Sequence, residues 1–184
     1  MSSGSARARR LAAFLTPVLG RLGAHWVAQR RSRSRPGASP LPPDALAALA
    51  HFFPAATLAS ARLGIVPRIA SPFLASTLRR LGLQAVDFDR ILGITFADTI
   101  IIASRVRGPA LFSTLFHEMV HVEQARQLGP RGFVERYVRG WITEADYSAI
   151  PLERDAYALQ RRFEDAPDEA FDVAAEIARR LAGR

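Results

Sequence analysis

The sequence predicts an α+β fold, a short sheet or hairpin packed on one long helix and followed by a mainly helical second half. Three observations predict it. β-branched and apolar runs bounded by glycine and proline fall between residues 61 and 104. From Pro109 onwards apolar residues recur instead at helical spacing. The length of 184 residues, 49% of them hydrophobic, suits one globular core with appendages.

Residues 1–40 read as a basic leader, amphipathic or partly disordered, ahead of a folded unit over 41–184. Residues 1–43 hold eight arginines and no acid, while residues 44–184 hold seventeen arginines against seventeen acids, so the formal charge of +8 belongs to the leader. Leu11 to Gly20 is an apolar run behind Arg7, Arg9 and Arg10, the outline of a twin-arginine signal. Pro17 interrupts it and no small-x-small cleavage site follows, so the leader reads as a helix and the protein as cytoplasmic, with export as the alternative. The run is too short for the ~20 residues that span a bilayer, although peripheral contact with an anionic membrane stays open. Arg31 to Pro43, rich in Arg, Ser and Pro, reads as disordered.

Pro42-Pro43-Asp44 opens a helix that runs from Ala45 to Phe53 and stops at Pro54, with Asp44 placed to satisfy free backbone N–H groups. Ala61 to Ala70 reads as a strand broken by Gly64 and Pro67, and Phe73 to Leu81 as a helix stopped by Gly82. Ile91 to Ser104 reads as a hairpin turning at Ala97-Asp98, its second arm buried on both faces. Pro109 to Leu128 is the strongest helix and closes at Gly129-Pro130. Phe133 to Trp141, Pro151 to Phe163 and Pro167 to Leu181 read as three more.

Composition narrows the chemistry. There is no cysteine, which excludes disulfides and thiolate ligands and leaves any metal to histidine and carboxylate. All 25 basic residues are arginine, a bias that reads as an arginine-coding genome and predicts no specific nucleic-acid partner.

Within the strong helix stands His117-Glu118-Met119-Val120-His121. Two imidazoles four residues apart project from one face with Cβ atoms about 6 Å apart, close enough to share one ion. Chance alone produces this pattern on the order of 0.004 times in a chain of this composition, so it is treated as a site. Zinc with three protein ligands keeps a position for water and lowers its pKa to about 7. Glu118, beside His117, is then the natural base.

The third ligand follows by elimination. No histidine follows His121, so a carboxylate completes the site unless His25 or His51 folds back. Glu153 is the choice, because Pro151 can open a helix whose first turn carries it. Glu144 is the rival, and Asp155 reads as an outer or surface residue. Tyr147 and Tyr157 are candidates for steadying an oxyanion through a phenol O–H. Gln124, one turn beyond His121, reads either as a residue that orients that ring through a hydrogen bond or as a helix surface residue.

With these residues in view, the chain resembles the zincin metallopeptidases, and within them the gluzincin-like group whose third ligand is a glutamate on a later helix. His117 to Gln124 is similar to a motif of small bacterial metallopeptidase domains found near secreted toxins and contractile injection systems. The hairpin at Gly93 to Ala103 and the stretch Pro151 to Tyr157 resemble the flanking parts of those domains, so the resemblance covers about residues 60 to 160. It implies a zincin-like fold, Zn2+ as cofactor, Glu153 as ligand, a peptide or protein substrate and a secretion- or toxin-system partner. It equally accommodates a non-catalytic, zinc-stabilised interaction module. Membrane-bound glutamate zincins keep an acid four positions after the ligand, where this chain has Tyr157.

Overall fold

The computed structural model describes residues 3–69, 91–144 and 146–183. The predicted helix from Phe73 to Leu81 lies outside them. The fold is α+β, with a small mixed sheet and a mainly helical second half. Helix α1 spans Ser3–Ser34, then come a 3-10 turn at Arg35–Gly37 and strand β1 at Ser39–Pro40. They are followed by α2 (Pro43–Leu49), α3 (Ala55–Ser60), β2 (Arg62–Val66), β3 (Gly93–Phe96) and β4 (Thr99–Ala103). Helix α4 (Pro109–Thr143) leads through a 3-10 turn at Tyr147–Ala149 to α5 (Pro151–Asp165) and α6 (Val173–Ala182).

The sheet order is β1-β2-β4-β3. β2 runs parallel to β4 with Arg62 opposite Thr99, and β3 pairs antiparallel with β4 with Phe96 opposite Thr99. All five residues of the inner strand β4 are buried, as its unbroken apolar run predicts. The hairpin turns at Ala97-Asp98 as expected.

α4 runs across the sheet against β3 and β4. Thr114 to Ala125 are buried on every face of it, so tertiary packing rather than amphipathicity holds this segment. Phe116 stacks on Phe163 of α5 with ring centroids 4.4 Å apart and meets Phe52 edge-on at 5.5 Å. Burying each ring contributes about 1.5–3 kcal/mol, and together they pin the turn before the site to α5. Gly129 interrupts α4 with φ 69° and ψ 159°, a left-handed φ that favours glycine. Pro130 then opens the second limb.

Several boundaries differ from the sequence expectation. α2 ends at Leu49 rather than Phe53, α3 was not anticipated, and the strand at 61–70 shortens to Arg62–Val66. The last helix starts at Val173 instead of Pro167, because the Asp172 carboxylate accepts the Ala175 N–H at 2.9 Å and caps it there.

The largest difference lies at the N-terminal side. α1 runs through Pro17, and Arg31 to Pro43 ends that helix, makes the 3-10 turn and adds β1 to the sheet rather than being disordered. α1 packs along α4. A Cβ at Gly20 would lie 2.3 Å from Glu135 Cγ and one at Gly23 2.6 Å from Val134 Cγ1, so the two glycines permit the close approach. At the other end Asp98 accepts from Arg31 Nε and Nη2, both at 2.6 Å, while Arg35 Nη1 stands 2.8 Å from Oδ2. Composition favours disorder here; a bidentate ion pair 67 residues away in sequence overrides it.

Burial alone would raise the Asp98 carboxyl, but hydrogen bonds from Arg31 and Thr99 and the nearby guanidinium charges hold it below the usual range. A depressed acid stabilises fully above its unfolded value of about 3.9, and the contribution disappears as pH falls through the folded value. Asp98→Asn is therefore expected to cost about 1–2 kcal/mol at neutral pH. Thermal melts should show the two proteins converging in acid; a gap unchanged down to about pH 2 would reject this account.

Candidate metal centre

Two segments build the centre. The first limb of α4 carries His117, Glu118 and His121, and the first turn of α5 carries Glu153. α5 starts where it does because the Asp146 carboxylate accepts the Ser148 N–H at 2.9 Å, closing the 3-10 turn, and Pro151 then occupies the first helical turn.

His117 Nε2 and His121 Nε2 face each other at 3.1 Å. Glu153 closes the triangle, with Oε2 at 3.2 Å from His117 Nε2 and Oε1 at 3.3 Å from His121 Nε2. Donors bonded at about 2.0–2.1 Å to a tetrahedral ion stand about 3.3 Å from one another. The two imidazole nitrogens therefore stand near that spacing, each beside a different oxygen of the Glu153 carboxylate, and among the described residues these three form the group able to hold an ion. All three are buried, Glu153 almost completely.

The outer contacts select the tautomer. His117 Nδ1 meets Gln160 Oε1 and His121 Nδ1 meets Gln124 Oε1, both at 2.8 Å. The amide orientations are set, since Gln124 Nε2 donates to the Leu152 carbonyl at 3.0 Å and Gln160 Nε2 to Glu164 Oε1 at 2.9 Å. An amide oxygen only accepts, so each Nδ1 carries a proton and each neutral ring turns its Nε2 lone pair inward. Two lone pairs at 3.1 Å repel unless a cation lies between them.

Without a metal, a proton takes that place. Burial would lower the His121 pKa, but the Glu153 carboxylate beside it brings it up to about 9. Burial would raise Glu153, yet His121 and hydrogen bonds from both rings bring it down to about 2. The pocket is thus organised around positive charge.

Replacing either glutamine by leucine removes the acceptor that holds the proton on Nδ1. Gln124→Leu and Gln160→Leu are each expected to weaken metal binding roughly 10–100-fold. Competition with a chromophoric chelator measures this, and wild-type affinity in both variants would discard the orienting role.

Glu118 lies outside the triangle. Thr95 Oγ1 on β3 donates to its Oε2 at 2.7 Å, and a Cβ at Gly93 would sit 2.7 Å from its Oε1, so β3 leaves room for the carboxylate only because residue 93 lacks a side chain. Burial raises its pKa against the opposing pull of His121, His117 and Thr95. The group is a carboxylate with enhanced basicity.

Tyr147 donates its hydroxyl to Glu153 Oε1 and lies 2.8 Å from the Tyr137 hydroxyl. Since the Tyr147 proton goes to the carboxylate, Tyr137 is the donor to Tyr147, giving a chain that fixes the Glu153 rotamer. Burial pushes the Tyr147 hydroxyl well above its ordinary pKa, so it stays a donor. Tyr157 lays its ring against His117 at a centroid distance of 4.6 Å; burial, then Glu153 and Glu118, push its hydroxyl up to about 12.

The structure therefore gathers His117, Glu118, His121, Glu153, Tyr147, Tyr157 and Gln124 around one point. Glu144 is exposed at the end of α4, accepting from Thr143 Oγ1, and His25 and His51 are exposed elsewhere; none belongs to the ligand group. Asp155 is buried rather than at the surface and pairs with Arg180 Nη1 of α6 at 3.2 Å. Sequence reasoning missed Gln160, Tyr137 and Thr95. Gln160 follows Glu153 by seven residues, two turns along one face of α5, a signal readable once Glu153 is chosen. Gln160 also lines a cleft of about 500 Å³ with Leu92, Phe112, Ser113 and Phe163.

Compared with protein-family models, curated proteins and solved structures, the chain finds no match.

Proposed function

We infer that this chain is a zinc-dependent peptidase of the zincin type. The observation that carries the reading is the buried His117–His121–Glu153 triangle, with both Nδ1 atoms locked outward and Glu118 held beside it but not in it. Two imidazoles and one carboxylate without thiolate, gathered in one buried pocket, suit zinc. Zinc bound there would polarise a substrate carbonyl and bring the pKa of a water to about 7.

The chain's own groups supply the rest. Glu118 takes a proton from the attacking water and returns it to the leaving amine, which its buried, basic carboxylate favours. Tyr157 keeps its phenol proton throughout the neutral range and is the candidate to donate a hydrogen bond to the developing oxyanion. Tyr147 acts on the ligand Glu153 instead.

β3 is the last strand of the sheet among the described residues, and Gly93 and Thr95 on it abut Glu118. An extended peptide added along that edge would pass its backbone beside the base, using main-chain hydrogen bonds for affinity. The cleft beside Gln160 would take a substrate side chain.

Metal analysis and a fluorogenic peptide library test the reading. One equivalent of zinc, and cleavage lost to a chelator and restored by zinc, is the expected result. Stoichiometric zinc with every peptide left intact would sink the peptidase and leave a metal-stabilised binding module.

A further inference from the structure

α1 packs on the rest of the fold through Ala24, Trp26 and Val27 and also carries a second apolar stripe that faces outward. Toward α4 it places Gly20 and Gly23 against Glu135 and Val134, with Ala24 and Val27 packed beside them. Outward stand Phe14, Val18 and Leu22, which are 79%, 57% and 55% exposed. Their spacing of four places them on one side of the helix. Arg21 and His25, each three residues after a member of the stripe, are exposed on that same side.

The charge that α1 itself carries is of one sign, and Glu135 of α4, which lies against Gly20, is paired with Arg131. Residues 1–43 contain no acid. Asp98 engages Arg31 and Arg35 at the far end, whereas Arg21 is exposed beside the stripe. In the sequence, Arg7, Arg9 and Arg10 precede Phe14.

Three occupants can be weighed against this face. A second copy of α1 would set arginine against arginine with no acid to offset them. A nucleic acid accounts for the charge but leaves the aliphatic Val18 and Leu22 unexplained. An anionic lipid surface accounts for both, taking the apolar side chains below the headgroups and pairing the guanidinium groups with them. No helix among the described residues is long and apolar enough to cross a membrane, so α1 would lie along the surface.

We propose that the outward face of α1, Phe14, Val18 and Leu22 with Arg21, docks on an anionic bilayer with the helix in the plane of the interface. The surface rests on exposure and charge alone and is independent of the metal centre.

Cosedimentation of the full chain with phosphatidylcholine vesicles, with and without phosphatidylglycerol, tests it. Binding is expected only to the mixed vesicles and should weaken with salt. Replacing the stripe together (Phe14→Ser, Val18→Ser, Leu22→Ser) should weaken it roughly tenfold or more, with circular dichroism and metal content unchanged. Val18→Trp should shift its emission to the blue on mixed vesicles and not on neutral ones. The proposal is overturned by a chain that ignores the mixed vesicles, by a stripe variant that binds them as wild type does, or by a Val18→Trp emission that lipid leaves unmoved. It is equally overturned if lipid-free ultracentrifugation shows a dimer that the stripe substitutions dissociate, or if duplex DNA binds and the stripe substitutions leave vesicle binding unaltered.

Discussion

Glu118→Gln is expected to keep its metal and lose turnover by about 10²–10⁴-fold in kcat/KM. The amide is isosteric and its oxygen still accepts from Thr95 Oγ1, so the side chain keeps its place over β3. It holds none of the three ligand atoms, and the His117–His121–Glu153 triangle stays intact. What disappears is the ability to take a proton. Steady-state kinetics beside zinc analysis read both halves of this expectation. Full activity in the variant would remove Glu118 as the base, and loss of zinc would make its role structural.

Glu153→Ala is expected to abolish stoichiometric zinc binding. Losing a partner outside the coordination sphere already costs about 10–100-fold in affinity, and losing a ligand exceeds that. The two Nε2 atoms 3.1 Å apart would keep no carboxylate to complete the grip. The Tyr137–Tyr147 chain would also end on no acceptor, a buried loss of about 1–3 kcal/mol. Glu144→Ala, at an exposed position away from the triangle, should bind zinc as the wild type does. Zinc retained in the Glu153 variant and lost in the Glu144 variant would reverse the ligand assignment.

The site was readable from sequence where it depended on local periodicity. His117 and His121 share a face because they are four residues apart on a helix, whatever packs around it. Gln124 follows from the same spacing and reaches His121. Glu153 was found by elimination, aided by the absence of cysteine and of any later histidine. Gln160 was readable only through Glu153, two turns before it, and Tyr137 was not readable, because each acts on a side chain of another segment. The break at Gly129 further separates Tyr137 from the motif in any simple helical projection.

The sequence by itself determined the α+β class, the hairpin turning at Ala97-Asp98 and the helical pair of histidines, since short-range sterics and hydrophobic period govern all three. Tertiary structure alone decided that the basic N-terminal segment packs on α4, because Gly20, Gly23 and the Asp98 clamp act only once distant segments meet. It alone also brought Gln160 to the His117 ring and Tyr137 to the Tyr147 hydroxyl. Composition and period describe what a segment prefers in isolation; a bidentate ion pair or a three-donor site depends on atoms that the chain brings together only by folding.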